Sequence, residues 1–271
     1  MCGVVGFVGQ TKYPEICLKE MVNAINHRGP DNTGIWVDSN IGLGHARLSI
    51  IDLSSAGHQP MHSVSSNFVM IFNGEIYNHN EIRMELNSLH ERKWTGHSDT
   101  ETLLEAIEQW GLETTLNKTK GMFSIALWDK RNRNLYLSRD RMGEKPLYYG
   151  WVDNQFVFAS ELKAIKKFPK FNNSIDRNAL ALFLRFNSIP SPYSIYEDIF
   201  KLEPGTIIQF NADSKKIVKS TYWSTEEEII KSSSSAFSGN FEDAVNQLEL
   251  ILSKAVSSQM ESDVPLGAFL S

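Results

Sequence analysis

The first 210 residues alternate between short apolar runs and polar turns, a pattern typical of β-strands. Runs rich in β-branched and aromatic residues predict strands at residues 2–9, 33–38, 41–52, 67–78, 122–129, 134–140, 146–160 and 205–210. Polar turns such as DKRNRN and VDNQ join several of these runs, which is typical of antiparallel hairpins. Apolar residues spaced three or four apart predict helices at residues 14–27, 80–91, 99–111 and 177–186. The pattern therefore predicts an α+β fold built on antiparallel sheets.

The character of the sequence changes after about residue 224. A charged and then serine-rich stretch, STEEEIIKSSSSAFSGN, is interpreted as a linker. A helical pattern over residues 241–260 follows it, and the final segment SDVPLGAFLS has the apolar character of a strand that is just beginning. We therefore expect one domain over residues 1–224, followed over residues 225–271 by a linker and the truncated start of a second domain.

Composition narrows the functional classes. The chain has 271 residues, of which 41% are hydrophobic and 22% charged, as in ordinary globular proteins. The net charge is −5 and the basic residues are scattered, so nucleic acid is not an expected partner. No signal peptide and no membrane-spanning apolar run is present, and a cytoplasmic protein without a membrane partner is expected. Two cysteines are too few for a disulfide framework or a cysteine zinc site, and no metal site is predicted.

Cys2 directly follows the initiator methionine. Removal of Met1 would leave one residue that carries both a thiol and a free α-amine. An α-amine has an unperturbed pKa of about 7.7–8.0, which suits a general base near neutral pH. Position alone favours the alternative of a small, buried strand residue, because free cysteine is among the most buried residue types. The catalytic interpretation therefore depends on the other segments.

Two further segments offer groups that could bind or polarise a substrate. Arg47 follows an apolar run, and its guanidinium fork suits a carboxylate, with a surface ion pair as the alternative. Asn73 and Gly74 could present a side-chain amide and a backbone N–H to an oxyanion. Asn-Gly is also a strong hairpin signal, and the segment alone favours a plain turn.

A third segment, HSDTETLLEAI, predicts the beginning of a helix. Ser98 and Glu101 have the spacing of a capping box. Asp99 would then lie near a helix N-terminus, free to accept hydrogen bonds from the ammonium group of a ligand.

Together these segments resemble a known family. The resemblance extends in family order over about residues 1–224, and it is carried by MCGVVGFV, HRGPD, GHARLSIID, QPM, FNGEIYNH, SDTE, GMFSIALWD, SRDRMGEKPLYYG and FASELKAI. These stretches resemble the glutaminase domain of glutamine-dependent asparagine synthetases, which are class II amidotransferases with an N-terminal nucleophile. The tail SDVPLGAFLS resembles the segment that leads into this family's pyrophosphate-binding loop, which would begin at Ser271.

The resemblance implies a four-layer αββα sandwich, the N-terminal-nucleophile hydrolase fold, in which two antiparallel sheets pack face to face between helices. It also implies a role for each matching residue. These are Cys2 as nucleophile, Asn73 and Gly74 as oxyanion hole, Arg47 for the glutamine α-carboxylate, Glu75 and Asp99 for its α-amine, and Leu48, Ile50 and Ile51 for backbone contacts or the pocket wall.

The implied reaction is hydrolysis of L-glutamine to glutamate and ammonia, with no cofactor in this chain. In a longer parent, a synthetase domain that uses ATP and magnesium would transfer the ammonia to aspartate. Glutamine and that domain are the implied partners, and a homodimer is left open. Three alternatives remain: another carboxylate acceptor on a sugar or cell-wall precursor, a class II amidotransferase with a sugar-phosphate or phosphoribosyl acceptor, and a non-catalytic glutamine-binding domain.

Overall fold

Two six-stranded antiparallel sheets form the centre of the computed structural model, which describes residues 1–234 and 237–268. The first sheet has the spatial order β10 (Ile199–Lys201), β8 (Tyr148–Val152), β9 (Gln155–Ala159), β1 (Gly3–Val8), β3 (Ile41–Arg47) and β2 (Asn32–Asp38). The second has the order β12 (Ile217–Thr221), β11 (Thr206–Asn211), β7 (Asn134–Arg139), β6 (Gly121–Asp129), β5 (Phe68–Ile76) and β4 (Met61–His62). These strands include all eight that the apolar runs within residues 1–210 predict.

Helices cover the outer face of each sheet. The first sheet packs against α1 (Pro14–Ala24) and α5 (Leu162–Ile165). The second packs against α2 (His79–Leu89), α3 (Asp99–Trp110) and α4 (Leu112–Lys118). The remaining helices are α6 (Arg177–Phe186), α7 (Thr225–Ser233) and α8 (Phe241–Ser258). The order helix, sheet, sheet, helix confirms the predicted four-layer α+β sandwich.

The alternation of side chains along β1 shows why this sequence forms a sandwich. Val4 and Val8 point into the apolar layer between the sheets, whereas Val5 and Phe7 point outward to α1. All four are buried, because a central strand in a layered fold is covered on both faces. Cys2 immediately precedes this strand, so the central position of β1 places Cys2 at one end of the sandwich.

The first half of the stretch predicted as a linker contains a helix, α7, that the sequence analysis does not predict. The hydroxyl of Ser224 accepts a hydrogen bond from the Glu227 N–H at 3.2 Å, and this N-cap begins the helix. The strand β12 was not predicted because all its residues are exposed at a sheet edge and no apolar alternation marks it. The strand predicted at the end of the chain is not found over residues 265–268, and Ser271 lies outside the described residues. Among the described helices, none is long and apolar enough to cross a membrane.

Candidate active site

Cys2 contacts two distant segments directly, and a third segment holds one of these two in place. Leu48 donates its backbone N–H to the Cys2 Sγ at 3.4 Å, and the Leu48 carbonyl oxygen lies 3.5 Å from the same sulfur. Arg28 Nε donates to the Cys2 carbonyl at 2.9 Å, while Arg28 Nη1 pairs with Glu161 at 3.0 Å. The motifs HRGPD and FASELKAI therefore fix the backbone of Cys2, and the thiol remains half-buried rather than packed into the core.

Burial has the largest effect on the Cys2 thiol, and nearby donors and cations oppose it only in part. Burial raises the pKa of the thiol, and the Leu48 N–H and the chain's α-amine act in the opposite direction. The α-amine belongs to Met1, which is 55% exposed. Partial burial lowers the pKa of this amine, the Cys2 thiolate opposes that shift, and the cations of Arg28 and Lys145 add to it. A lowered pKa favours the neutral amine, the form that can take up a proton.

Asn73 lies inside β5, beside the pocket. It is 1% exposed, and neither its Nδ2 nor its Oδ1 has a hydrogen-bond partner among the described residues. Its neighbour Phe72 is held on both sides: the Phe72 N–H donates to Gln59 Oε1 at 2.6 Å, and His45 Nε2 donates to the Phe72 carbonyl at 3.0 Å. Burial lowers the pKa of His45 to about 3, so this ring stays neutral. The strand thus fixes an amide whose hydrogen-bonding capacity is unused.

The plain-turn interpretation of Asn73-Gly74 is wrong. Both residues pair with β6 in a continuous register, Asn73 with Ser124 and Gly74 with Phe123. A Cβ on Gly74 would overlap the Met122 carbonyl oxygen, so glycine is needed for the close approach of the two strands.

Arg47 ends β3 and its guanidinium lies under the loop of residues 48–57, here called the pocket loop. Arg47 Nη1 donates to the Ser54 carbonyl at 3.0 Å, and Nη2 donates to the Asp52 carbonyl. Arg47 is only 8% exposed and forms no ion pair with the described residues, which excludes a surface ion pair. The buried guanidinium keeps donors that these two bonds do not use.

Two carboxylates, those of Asp99 and Glu75, also line the pocket. Asp99 is the first residue of α3 and is buried, and its Oδ2 accepts a hydrogen bond from the Ile76 N–H at 3.0 Å. Burial raises the pKa of Asp99. Burial also raises the pKa of Glu75, the Lys145 cation lowers it, and the Asp99 carboxylate raises it further. An ammonium group bound between Glu75 and Asp99 would stabilise both in their ionised forms.

The predicted capping box before Asp99 is only half formed. The Ser98 hydroxyl accepts from the Glu101 N–H at 3.2 Å, as predicted. The Glu101 carboxylate instead accepts from the N–H groups of Thr95 and Gly96, at 2.7 and 3.0 Å. Glu101 therefore orders the loop before the helix.

The structure brings every residue selected from the sequence into one pocket of about 100 Å³. Its lining includes Cys2, Arg47, Leu48, Ile50, Ile51, Asn73, Gly74, Glu75 and Asp99. Among the lining residues that were not selected is Lys145, which is 5% exposed. Within residues 1–234 and 237–268, no group of three or more His, Cys, Asp or Glu side chains is placed to hold a metal ion.

Lys145 owes its position to a tightly bonded turn. Arg139 Nε donates to the Lys145 carbonyl at 2.7 Å, and Asp140 Oδ2 accepts from the Lys145 N–H at 3.0 Å. The same Asp140 carboxylate accepts from the N–H groups of Met142 and Glu144. The motif SRDRMGEKPLYYG therefore presents a buried cation to Glu75. The only local signal for it in the sequence is a lysine in a polar turn, which is commonplace.

A family model identifies the class of protein to which this fold and pocket belong. Residues 1–223 match the family model described as "Glutamine amidotransferase domain", and the chain belongs to this family.

Within that class, the chain is homologous to the N-terminal part of glutamine-hydrolysing asparagine synthetases. A Methanocaldococcus jannaschii protein with that name is 36% identical over 100% of this chain and 54% of the relative. Asparagine synthetases 1 and 3 of Bacillus subtilis are 35% and 32% identical, over 100% of this chain and 42% and 43% of the relatives. The chain therefore spans about half the length of the curated relatives it matches.

A solved structure supports the fold. Glutamine phosphoribosylpyrophosphate amidotransferase of B. subtilis superposes with a TM-score of 0.63 and 18% identity, over 82% of this chain and 49% of that chain. At this identity, the likeness concerns the fold alone.

Proposed function

We propose that this chain hydrolyses L-glutamine to glutamate and ammonia, with Cys2 as the nucleophile once Met1 has been removed. The observation that carries the proposal is the buried amide of Asn73, which has no hydrogen-bond partner in the described part of the chain and lies in the same pocket as the Cys2 thiol. A buried polar group without a partner is costly in the resting protein. Such a group is well suited to a partner that forms only during the reaction.

The reaction begins with transfer of the Cys2 thiol proton to the α-amine. The thiolate then attacks the glutamine carboxamide carbon and forms a C–S bond, and the carbonyl oxygen becomes an oxyanion. The Asn73 amide and the Gly74 N–H donate to that oxyanion. The C–N bond breaks, the amine returns its proton to the leaving group, and ammonia departs. Water attacks the γ-glutamyl thioester, which releases glutamate and restores the thiol.

Three charged groups that line the pocket match the two charges of free glutamine. Arg47 donates guanidinium N–H groups to the α-carboxylate of glutamine. The carboxylates of Asp99 and Glu75 accept hydrogen bonds from its α-ammonium group. Leu48, Ile50 and Ile51 contribute backbone contacts or the wall. A substrate with only one of these charges leaves a buried ionic group of the protein unpaired, which discriminates against it.

Labelling with a glutamine-like diazoketone tests the nucleophile. Intact mass should show a chain that lacks Met1 and gains one adduct, and peptide mapping should place the adduct on Cys2. Excess glutamine should prevent labelling. Cys17 is the internal control, because burial raises its pKa to about 12 and it should stay unmodified. Retention of Met1, or an unlabelled Cys2 in a chain that binds glutamine, would contradict the mechanism and favour a binding domain.

In the whole protein, we propose that the ammonia is used to form an amide, with aspartate as acceptor and ATP and Mg²⁺ acting in a synthetase domain. The names of the relatives support this assignment. A second candidate is an acceptor other than aspartate, because a Gibberella zeae relative that is 30% identical is named an amidase and not an asparagine synthetase. Offering aspartate and other carboxylates to the full-length protein with ATP would distinguish them. A cytoplasmic setting is also proposed, because a catalytic free thiol suits a reducing compartment.

A further inference from the structure

Residues 261–263 lie against the outside of the pocket loop. The Asp263 N–H donates to the Ile50 carbonyl at 2.9 Å, and the Asp52 N–H donates to Asp263 Oδ2 at 2.8 Å. Ile50 and Asp52, the residues on either side of Ile51, are therefore both hydrogen-bonded to Asp263. The bond between Asp52 and Asp263 joins positions that are 211 residues apart along the chain.

Asp52, the residue bound by Asp263, connects directly to the candidate substrate arginine. The Asp52 N–H faces outward to Asp263, and its carbonyl accepts from Arg47 Nη2. Asp52 has a φ of 56°, in the left-handed region where a residue with a side chain is strained. Such a conformation persists only where its surroundings hold it. Asp263 is one of the groups that hold it.

Other contacts fix the same corner. Asp52 Oδ2 accepts from the His97 N–H at 2.9 Å, and the His97 ring donates from Nε2 to Asp263 Oδ2 at 2.7 Å. The charged groups that face this ring are Asp52, Asp263 and Arg83. His97 therefore bridges two carboxylates that would otherwise repel each other across the pocket loop.

The segment has a second anchor two residues earlier. Glu261 Oε1 lies 3.0 Å from His79 Nε2, and Asn80 Nδ2 donates to the same oxygen at 2.8 Å. His79 is buried at the beginning of α2. Between the anchors, the Ser262 hydroxyl accepts from the Val264 N–H at 3.2 Å. Two anchors and a local turn define where Asp263 sits.

We propose that Asp263 is a positioning residue for glutamine binding: seated on the pocket loop, it holds Asp52 and, through Asp52, the guanidinium of Arg47. The inference rests on the proposed function and adds to it a means by which the segment after α8 controls the affinity of the pocket. Displacement of residues 261–263 releases Asp52, and Arg47 then loses its fixed orientation toward the α-carboxylate.

Steady-state kinetics of glutamine hydrolysis by the full chain test this role. Asp263→Ala should raise KM roughly five- to tenfold, the lower part of the range typical for coupling between two sites. The value of kcat should change by less than about twofold, because the reacting atoms are not touched. Asp263→Asn should show a smaller rise, because its amide oxygen still accepts from the Asp52 N–H. Glu249→Gln on α8, whose side chain makes no hydrogen bond or ion pair in the described part of the chain, is the matched control and should match the wild type.

The outcomes separate this proposal from the glutaminase assignment. An active wild type with an unchanged KM in Asp263→Ala overturns the positioning role and leaves the assignment intact. If the wild type has no glutaminase activity, calorimetric titration with glutamine decides: a weaker Kd in Asp263→Ala supports the positioning role, and an equal Kd overturns it. A wild type that neither hydrolyses nor binds glutamine overturns both. If thermal unfolding shows that Asp263→Ala does not fold, the same comparisons apply to Asp263→Asn.

Discussion

Replacement of Asn73 by leucine should lower activity and raise stability at the same time. Leucine has a similar shape and no polar atoms. In the resting protein, both polar atoms of Asn73 are buried without a partner among the described residues, and an unsatisfied buried polar group costs about 1–3 kcal/mol. Removing it should therefore stabilise the fold, and we expect the free energy of unfolding to rise by about 1 kcal/mol. For a domain of this size, that corresponds to an increase in Tm of roughly 2–4 °C.

The activity should change in the opposite direction. Loss of one oxyanion donor typically lowers kcat by about 100- to 1,000-fold, or about 2.7–4 kcal/mol of transition-state stabilisation. KM for glutamine should stay within about threefold, because the bond to the oxyanion forms after binding. Glutamate release and urea unfolding of the same preparation measure both effects. A variant with near-normal kcat, or one destabilised by more than about 1 kcal/mol, would show that Asn73 serves the packing of β5 instead.

Two further predictions concern the groups around the substrate. Gly57→Ala should raise KM for glutamine by about tenfold with little change in kcat. The added Cβ would overlap Nη2 of Arg47 and displace a charge-assisted hydrogen bond. Equal KM values in Gly57→Ala and the wild type would show that the space at Gly57 does not orient the guanidinium. Lys145→Met should move the acidic limb of the kcat/KM profile to higher pH, because the Lys145 cation lowers the pKa of Glu75 and its loss lets burial raise that pKa further. As the medium is acidified, Lys145→Met should therefore lose activity at a higher pH than the wild type does. Lys145→Arg keeps the cation and should return the acidic limb to its wild-type position. An acidic limb at the same pH in Lys145→Met and the wild type would contradict the argument.

The layered fold could be predicted from the sequence because buried strands carry strong local patterns of apolar residues. The alternation along β1 and the long apolar runs of β5 and β6 each predict a strand without knowledge of the rest of the chain. Edge strands lack this signal. In β12 every residue is exposed, so burial imposes no pattern on it. The helix α7 did carry a signal, a serine followed three residues later by glutamate, but the charged and serine-rich composition around it favoured a linker.

In the candidate site, too, some residues could be predicted from local sequence patterns and others only from the assembled fold. The family motifs assign Cys2, Arg47 and Asp99 to one site although these residues are distant in sequence. In the structure, all three line the same pocket. Local pattern alone favoured a turn at Asn73-Gly74, because a dipeptide does not reveal that both of its flanks pair with β6. Neither Lys145 nor Asp263 was identified from the sequence. Burial of a lysine, and a contact across 211 residues, are properties of the assembled fold.

The central claim, that Cys2 carries the hydrolysis of glutamine, is tested most directly by measuring both products from three purified proteins. The wild type should release one glutamate and one ammonia per glutamine consumed. Cys17→Ala should retain this activity, because its buried thiol lies in the core beneath α1. Cys2→Ala should lose it by at least about 1,000-fold, since the other thiol of the chain, Cys17, is buried and does not line the pocket. Glutamate release by Cys2→Ala at a rate close to that of the wild type would contradict the account.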